Sequence, residues 1–117
     1  MDIIKELPYS VEAEQAVIGS VLLEPTRISE VLDITEAGHF YIEKNKHIFQ
    51  AMVDLFNTSQ PIDVVTLGNL LKSQGTFESV GGNDYLKEII NNMPLSLNVS
   101  AYSEIIKNKA IQRNLIK

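Results

Sequence analysis

Apolar residues recur every three to four positions along most of this chain, and prolines and glycines interrupt that rhythm at short intervals. Such spacing places apolar side chains on one face of an α-helix, whereas a half-buried strand needs strict alternation. The β-branched residues follow the helical period too, and only residues 61–66 could be locally extended. We therefore predict an all-α fold.

Turn and capping residues divide the chain into six expected helices. Residues that can cap a helix through a side-chain oxygen precede five of them: Ser10, Thr26, Asp63, Asn83 or Asp84, and Asn98 or Ser100. The remaining helix, the third, covers about residues 43–56 and carries the widest apolar face. We expect it to be the central helix of the fold.

The length of 117 residues suits one compact domain. The chain has no cysteine, so it contains neither a disulfide nor a thiolate metal site, and a reducing, cytoplasmic location is expected. No apolar run approaches the roughly 18 residues that span a bilayer, and the acidic start lacks the layout of a signal peptide. We predict no membrane insertion.

Charge is distributed unevenly along the chain. Residues 1–102 carry a net charge of −8, whereas residues 103–117 carry +3. Nucleic acid is normally bound by clustered basic side chains, so the acidic body is a poor partner for DNA. The basic end of the chain has two interpretations: it could belong to a stand-alone nucleic-acid-binding module, or it could be a solvated helix face. The four basic residues of this end are Lys107, Lys109, Arg113 and Lys117.

No group of residues has the spacing of a catalytic or metal site. His39 and His47 lie eight positions apart without a third ligand at a suitable spacing. Two carboxylate pairs occur at helix starts, where the helix dipole explains them: Glu12 with Glu14, and Asp84 with Glu88. Gly81 and Gly82 precede a helix but lack the spacing of a phosphate loop. We predict no catalytic, metal-binding or cofactor-binding residue.

The last helix carries the best candidates for a protein interface. Ile111, Leu115 and Ile116 continue its apolar pattern to the end of the chain. We expect this helix to protrude, so that these side chains have no core of their own and favour self-association. Tyr85 is a second candidate, either as a core residue or as an aromatic anchor for a partner.

Four sequence blocks resemble one known family when they are taken together. They are PYSVEAEQAVIGSVLLEP at 8–25, GHFYIEKNKHIFQAM at 38–52, PIDVVTLGNLL at 61–71 and SVGGNDYLKEIINNMPLSLNVSAY at 79–102. In this order and spacing they closely resemble the N-terminal domain of the DnaB-type hexameric replicative DNA helicases of bacteria. The resemblance covers nearly the whole chain from Pro8 onward.

The resemblance implies an architecture beyond anything that spacing showed. Residues 1–98 would form a helical head, and residues 99–117 the start of a helical hairpin that is truncated here. In the family an ATPase motor domain follows, and it holds the catalytic residues, ATP and magnesium. That motor is absent from this sequence, so the chain itself is expected to be non-catalytic, whereas its parent is expected to be an ATP-dependent DNA helicase.

The resemblance also implies partners. The family's N-terminal domains associate into a collar on the hexameric ring, commonly as a trimer of dimers, and they bind the C-terminal domain of primase. Some members also meet a helicase loader. We therefore expect self-association and primase docking in the bacterial replisome, with weak or absent DNA contact. Tyr85 is a second-tier candidate for primase docking, because the partner-facing surface of the family includes parts of the head.

Overall fold

The computed structural model describes residues 7–94 and 98–116 of the chain. Over these ranges the fold is all-α, as predicted. Short 3₁₀ turns at Pro25–Arg27 and Ala37–His39 flank the second helix. The helices are α1 (Val11–Leu23), α2 (Ile28–Leu32), α3 (Glu43–Asn57), α4 (Val64–Ser73), α5 (Gly82–Asn91) and α6 (Val99–Ile116).

Three helices begin at the capping residues expected from the sequence. Ser10 accepts a hydrogen bond from the Ala13 amide at 3.1 Å, which satisfies one of the free N–H groups at the start of α1. Asp63 and Thr66 exchange hydrogen bonds with each other's backbone amides at the start of α4. Asn98 accepts from the Ala101 amide at 3.0 Å and opens α6. Each of these starts depends on residues three positions apart.

Two expected caps are wrong. Thr26 lies inside the 3₁₀ turn, and α2 begins at Ile28 without a side-chain cap. Neither Asn83 nor Asp84 caps α5, which begins at Gly82 after Gly81 in the left-handed region with φ of 98°. Glycine adopts that conformation without a steric penalty, so the backbone turns directly into the helix and leaves no position for a side-chain cap.

The central helix is α1 rather than α3. Eight of the thirteen residues of α1 are buried, and α3, α5 and α6 all pack against it. Small residues on α1, among them Ala13, Ala16 and Gly19, let its neighbours approach from several sides. The amphipathic face of α3 lies on this core through Phe49, whose ring stacks on Phe40 at a centroid distance of 4.9 Å.

None of the described helices is long and apolar enough to cross a membrane.

Candidate protein-interaction surface

The helix α6 lies along the head instead of protruding from it. Its inward residues pack against α1 and α2, and those that are buried are Val99, Ser103, Ile106 and Ala110. The expectation of a protruding helix is therefore wrong over this part of the chain. The physical reason is the small size of Ser103 and Ala110, which allows α6 to pack closely against its neighbours.

The opposite side of α6 is exposed to solvent, and we call it the α6 outer surface. It is formed by Ala101, Glu104, Ile105, Asn108, Ile111, Gln112 and Leu115. Three of these are large apolar side chains: Ile105 is 37% exposed, Ile111 is 47% exposed and Leu115 is 81% exposed. Only one of the seven is charged. An exposed apolar surface of this kind is typical of a protein interaction site.

The structure brings two of the predicted interface residues together. Ile111 and Leu115 lie one helical turn apart on the α6 outer surface. The side chain of Ile116 lies outside the described part of the structure, so its role stays a prediction. Ile105 was missed as an interface residue. Ile105 and Ile106 are adjacent, and neighbours on a helix point about 100° apart, so a helix that packs on one side can bury one and expose the other.

The basic residues of α6 differ in their environments. Lys107 lies 3.9 Å from the Glu104 carboxylate, which offsets its charge. Arg113 does not lie on a solvated face, in contrast to that interpretation of the basic end. Its guanidinium donates to two backbone carbonyls of the head. Lys117 lies outside the described residues. Lys107 and Arg113 thus interact with other groups of the chain, so the described part of α6 does not present Lys107, Lys109 and Arg113 as one continuous stripe of free cations toward a phosphate backbone.

Arg113 makes an unusually complete set of contacts for a residue near the end of a helix. One terminal nitrogen donates to the Pro8 carbonyl at 3.0 Å, and the other donates to the His39 carbonyl at 2.6 Å. The guanidinium carbon lies 5.1 Å from the centre of the Tyr41 ring, within the range of a cation–π contact. The Tyr41 ring in turn stacks on Tyr9, with centroids 4.6 Å apart.

Tyr85 occupies the core, which is the first of its two predicted roles. Its ring is 6% exposed, so it offers little surface to a partner. The hydroxyl donates to the Asn45 side-chain oxygen at 2.5 Å and accepts from the Gln15 amide at 3.2 Å. The Lys44 ammonium lies 3.8 Å from the centre of the ring. These contacts account for a tyrosine at this position without a partner.

Glu14 is the charged member of the same buried network. Its carboxylate accepts hydrogen bonds from the backbone amides of Tyr41 and Ile42 and from the Asn45 side chain at 3.0 Å. Burial raises the pKa of Glu14 above its ordinary value of 4.5, and the hydrogen bonds oppose that shift. Three donors of the fold face its two oxygens, so Glu14 joins α1 to the start of α3. That Glu14 does no acid–base chemistry stays a prediction.

The two histidines have different polar partners. His39 is hydrogen bonded to the Thr35 hydroxyl at 2.9 Å, and His47 faces Glu43 one turn away on α3. Within residues 7–94 and 98–116 no three histidine or acidic side chains are grouped closely enough to hold a metal ion. That this chain binds no cofactor stays a prediction.

Comparison with known proteins shows that the chain is similar to one part of bacterial replicative DNA helicases. It is 40% identical over 109 residues to the replicative DNA helicase DnaB of Haemophilus influenzae, which covers 93% of this chain and 23% of that protein. The replicative DNA helicase DnaC of Bacillus subtilis is 34% identical and covers 94% of this chain and 24% of its own length. The chain therefore spans about a quarter of the length of these relatives.

The same relationship appears in three dimensions. The crystal structure of the N-terminal domain of DnaB helicase from Mycobacterium tuberculosis superposes with a TM-score of 0.90 at 32% identity, over 95% of this chain and 77% of that one. The family model of the DnaB-like helicase N-terminal domain matches residues 6–108. The chain thus belongs to the family of DnaB-like helicase N-terminal domains.

Proposed function

We propose that this chain is a non-catalytic assembly and protein-docking domain of a replicative DNA helicase. It associates with further copies of itself in the collar of the helicase ring. It also recruits primase by binding the C-terminal domain of primase, and a helicase loader is a further partner. Unwinding, ATP and magnesium belong to the motor of the parent protein, which works in the bacterial cytoplasm.

The observation that carries this proposal is the α6 outer surface. Its three large apolar side chains are exposed although the rest of the helix packs well, so their apolar area is available to a partner. Fully burying one fully exposed leucine or isoleucine contributes about 1.5–3 kcal/mol. Leu115 can contribute most of this, whereas Ile105 and Ile111 contribute only in proportion to the area that is still exposed. A partner that covered all three would gain a useful share of the free energy of association.

Sedimentation of the chain over a range of concentrations tests the proposal. We expect dimers or larger species, and we expect Leu115→Glu to weaken their association by about tenfold or more, because a buried carboxylate replaces about 1.5–3 kcal/mol of apolar contact in each copy. The matched control is Val65→Glu, which introduces the same charge at a 70% exposed residue of α4. It should leave the mass distribution unchanged.

Two results would contradict the assignment of the surface. Equal association of the wild type and Leu115→Glu would exclude this part of α6 from the interface. A wild-type chain that is monomeric at all concentrations, and that does not bind the C-terminal domain of primase, would contradict both assembly and docking. Tight binding to DNA that falls steeply with added salt would favour the nucleic-acid module instead.

A further inference from the structure

The last turns of α6 hold to the head in a different way from the rest of the helix. Buried residues recur on its inward side as far as Ala110. Over residues 111–115 every side chain is exposed except that of Arg113, which is half-buried. Hydrophobic packing therefore fixes the first three turns, whereas Arg113 is the main described contact of the end that carries Ile111 and Leu115.

The contacts of Arg113 join three separate parts of the chain. Pro8 lies in the segment that leads into α1, and His39 and Tyr41 lie in the connector between α2 and α3. Both hydrogen bonds end on backbone carbonyls, so they depend on the position of the main chain and not on the neighbouring side chains. The planar guanidinium can donate in two directions at once, which a lysine ammonium on a flexible stem cannot match.

The connector is itself held firmly on its other side. The Tyr41 amide donates to the buried Glu14 carboxylate at 2.7 Å, which ties the connector to the central helix α1. Arg113 therefore attaches the end of α6 to a part of the head that cannot easily move with it. A pair of charge-assisted hydrogen bonds to a fixed part of the backbone orients the end of α6 and also stabilises its position.

We propose that Arg113 is a positioning residue that clasps the end of α6 to the head and so sets the direction in which Ile111 and Leu115 face a second copy of the chain. Arg113 itself lies away from that partner. The inference about self-association rests on the proposed function, whereas the clasp itself is a property of the single chain and is tested separately.

Distances between pairs of spin labels measure the clasp directly. The chain has no cysteine, so single pairs can be introduced without removing any native residue. One label at Gln50, on the exposed side of α3, serves as the reference. The second label lies either at Asn108, before the clasp, or at Gln112, beside it. Both positions are exposed.

The expected result is a local change. In Arg113→Met, which keeps an unbranched apolar stem, the Gln50–Gln112 distance distribution broadens and the Gln50–Asn108 distribution stays as narrow as in the wild type. Arg113→Lys gives an intermediate width at Gln112. Lys109→Met is the control, because it removes the same charge from the same helix, and it leaves both distributions unchanged.

Two results would overturn the clasp. Unchanged distributions at both positions in Arg113→Met would show that the end of α6 is held without the guanidinium. Broadening at both positions would show that Arg113 supports the fold as a whole and has no specific effect on direction.

The consequence for association is measured in the same variants. We expect Arg113→Met to weaken self-association by roughly 2- to 10-fold, the cost of ordering one freed segment on binding, although the α6 outer surface keeps every residue. Local broadening with unchanged self-association would refute the link to the interface while leaving the clasp intact. Loss of association in Leu115→Glu together with unchanged distances in Arg113→Met would support the proposed function and refute the clasp.

Discussion

Tyr85→Phe removes a single oxygen atom from the core and tests the buried network. The hydroxyl donates to the Asn45 side chain, which is completely buried, and accepts from Gln15. In the variant the Asn45 oxygen loses this donor in a place that water does not reach. The Lys44 ammonium keeps an aromatic ring beneath it, so the change isolates the hydroxyl.

The expected cost follows from the unmade hydrogen bond. A buried polar group that loses its partner costs about 1–3 kcal/mol, whereas the half-buried Gln15 amide can turn to solvent at little cost. We therefore expect Tyr85→Phe to lower the free energy of unfolding by about 1–3 kcal/mol. In a domain of this size each kcal/mol lowers Tm by roughly 3–6 °C.

Urea unfolding followed by far-ultraviolet circular dichroism measures this difference. The midpoint should fall while the dependence of the free energy on urea stays the same, because the exposed surface of the two states is unchanged. Tyr9→Phe is the matched control, since the Tyr9 ring is 42% exposed, and it should change stability by less than about 0.5 kcal/mol. A Tyr85→Phe variant as stable as the wild type would refute the reasoning. Weaker binding of primase with unchanged stability would make Tyr85 a docking residue instead.

Two further changes test the structure at other points. Because burial raises the pKa of Glu14 above 4.5, the folded chain binds more protons than the unfolded chain just above that pH, and the contribution of this carboxyl to stability falls as pH rises through the raised pKa. At about pH 7, Glu14→Gln should lower the free energy of unfolding by about 1–3 kcal/mol, because the glutamine amide group would face a backbone donor. In urea unfolding near pH 4.5 the loss should be larger, because the wild type is there stabilised by the raised pKa; a loss that shrinks on acidification would contradict the raised pKa. Gly81→Ala should destabilise by about 1 kcal/mol or more in thermal unfolding, because its φ is 98° and an added Cβ would lie 2.8 Å from the Tyr85 Cβ; equal stability would show that the turn into α5 adapts.

Local features of the fold could be predicted from the sequence because they depend on neighbouring residues. The caps at Ser10, Asp63 and Asn98 each join residues three positions apart, so a short window contains the whole interaction. The cap assigned to Thr26 failed because a side-chain oxygen at a plausible position does not reveal that Pro25 starts a 3₁₀ turn. The family could be recognised because four blocks kept their order.

The buried contacts could not be predicted, because they join residues that are distant in sequence. Glu14 and Asn45 are 31 positions apart, Asn45 and Tyr85 are 40 apart, and Arg113 reaches across 105 positions to Pro8. Nothing in the local pattern distinguishes a solvated arginine on a helix from one that binds two distant carbonyls. For the same reason the direction of α6 was predicted incorrectly, whereas the apolar character of Ile111 and Leu115 was recognised.

The link from Glu14 through Asn45 to Tyr85 also has a consequence for how this sequence can drift over time. Asn45 is the middle member: its amide group donates to the carboxylate, and its oxygen accepts from the phenol. When any one of the three residues is replaced, a buried polar group of another loses its hydrogen-bond partner. A tolerated replacement at one position therefore requires a second replacement at its neighbour. The three residues lie on three different helices but should change together in evolution, and an alignment of relatives should show that they co-vary.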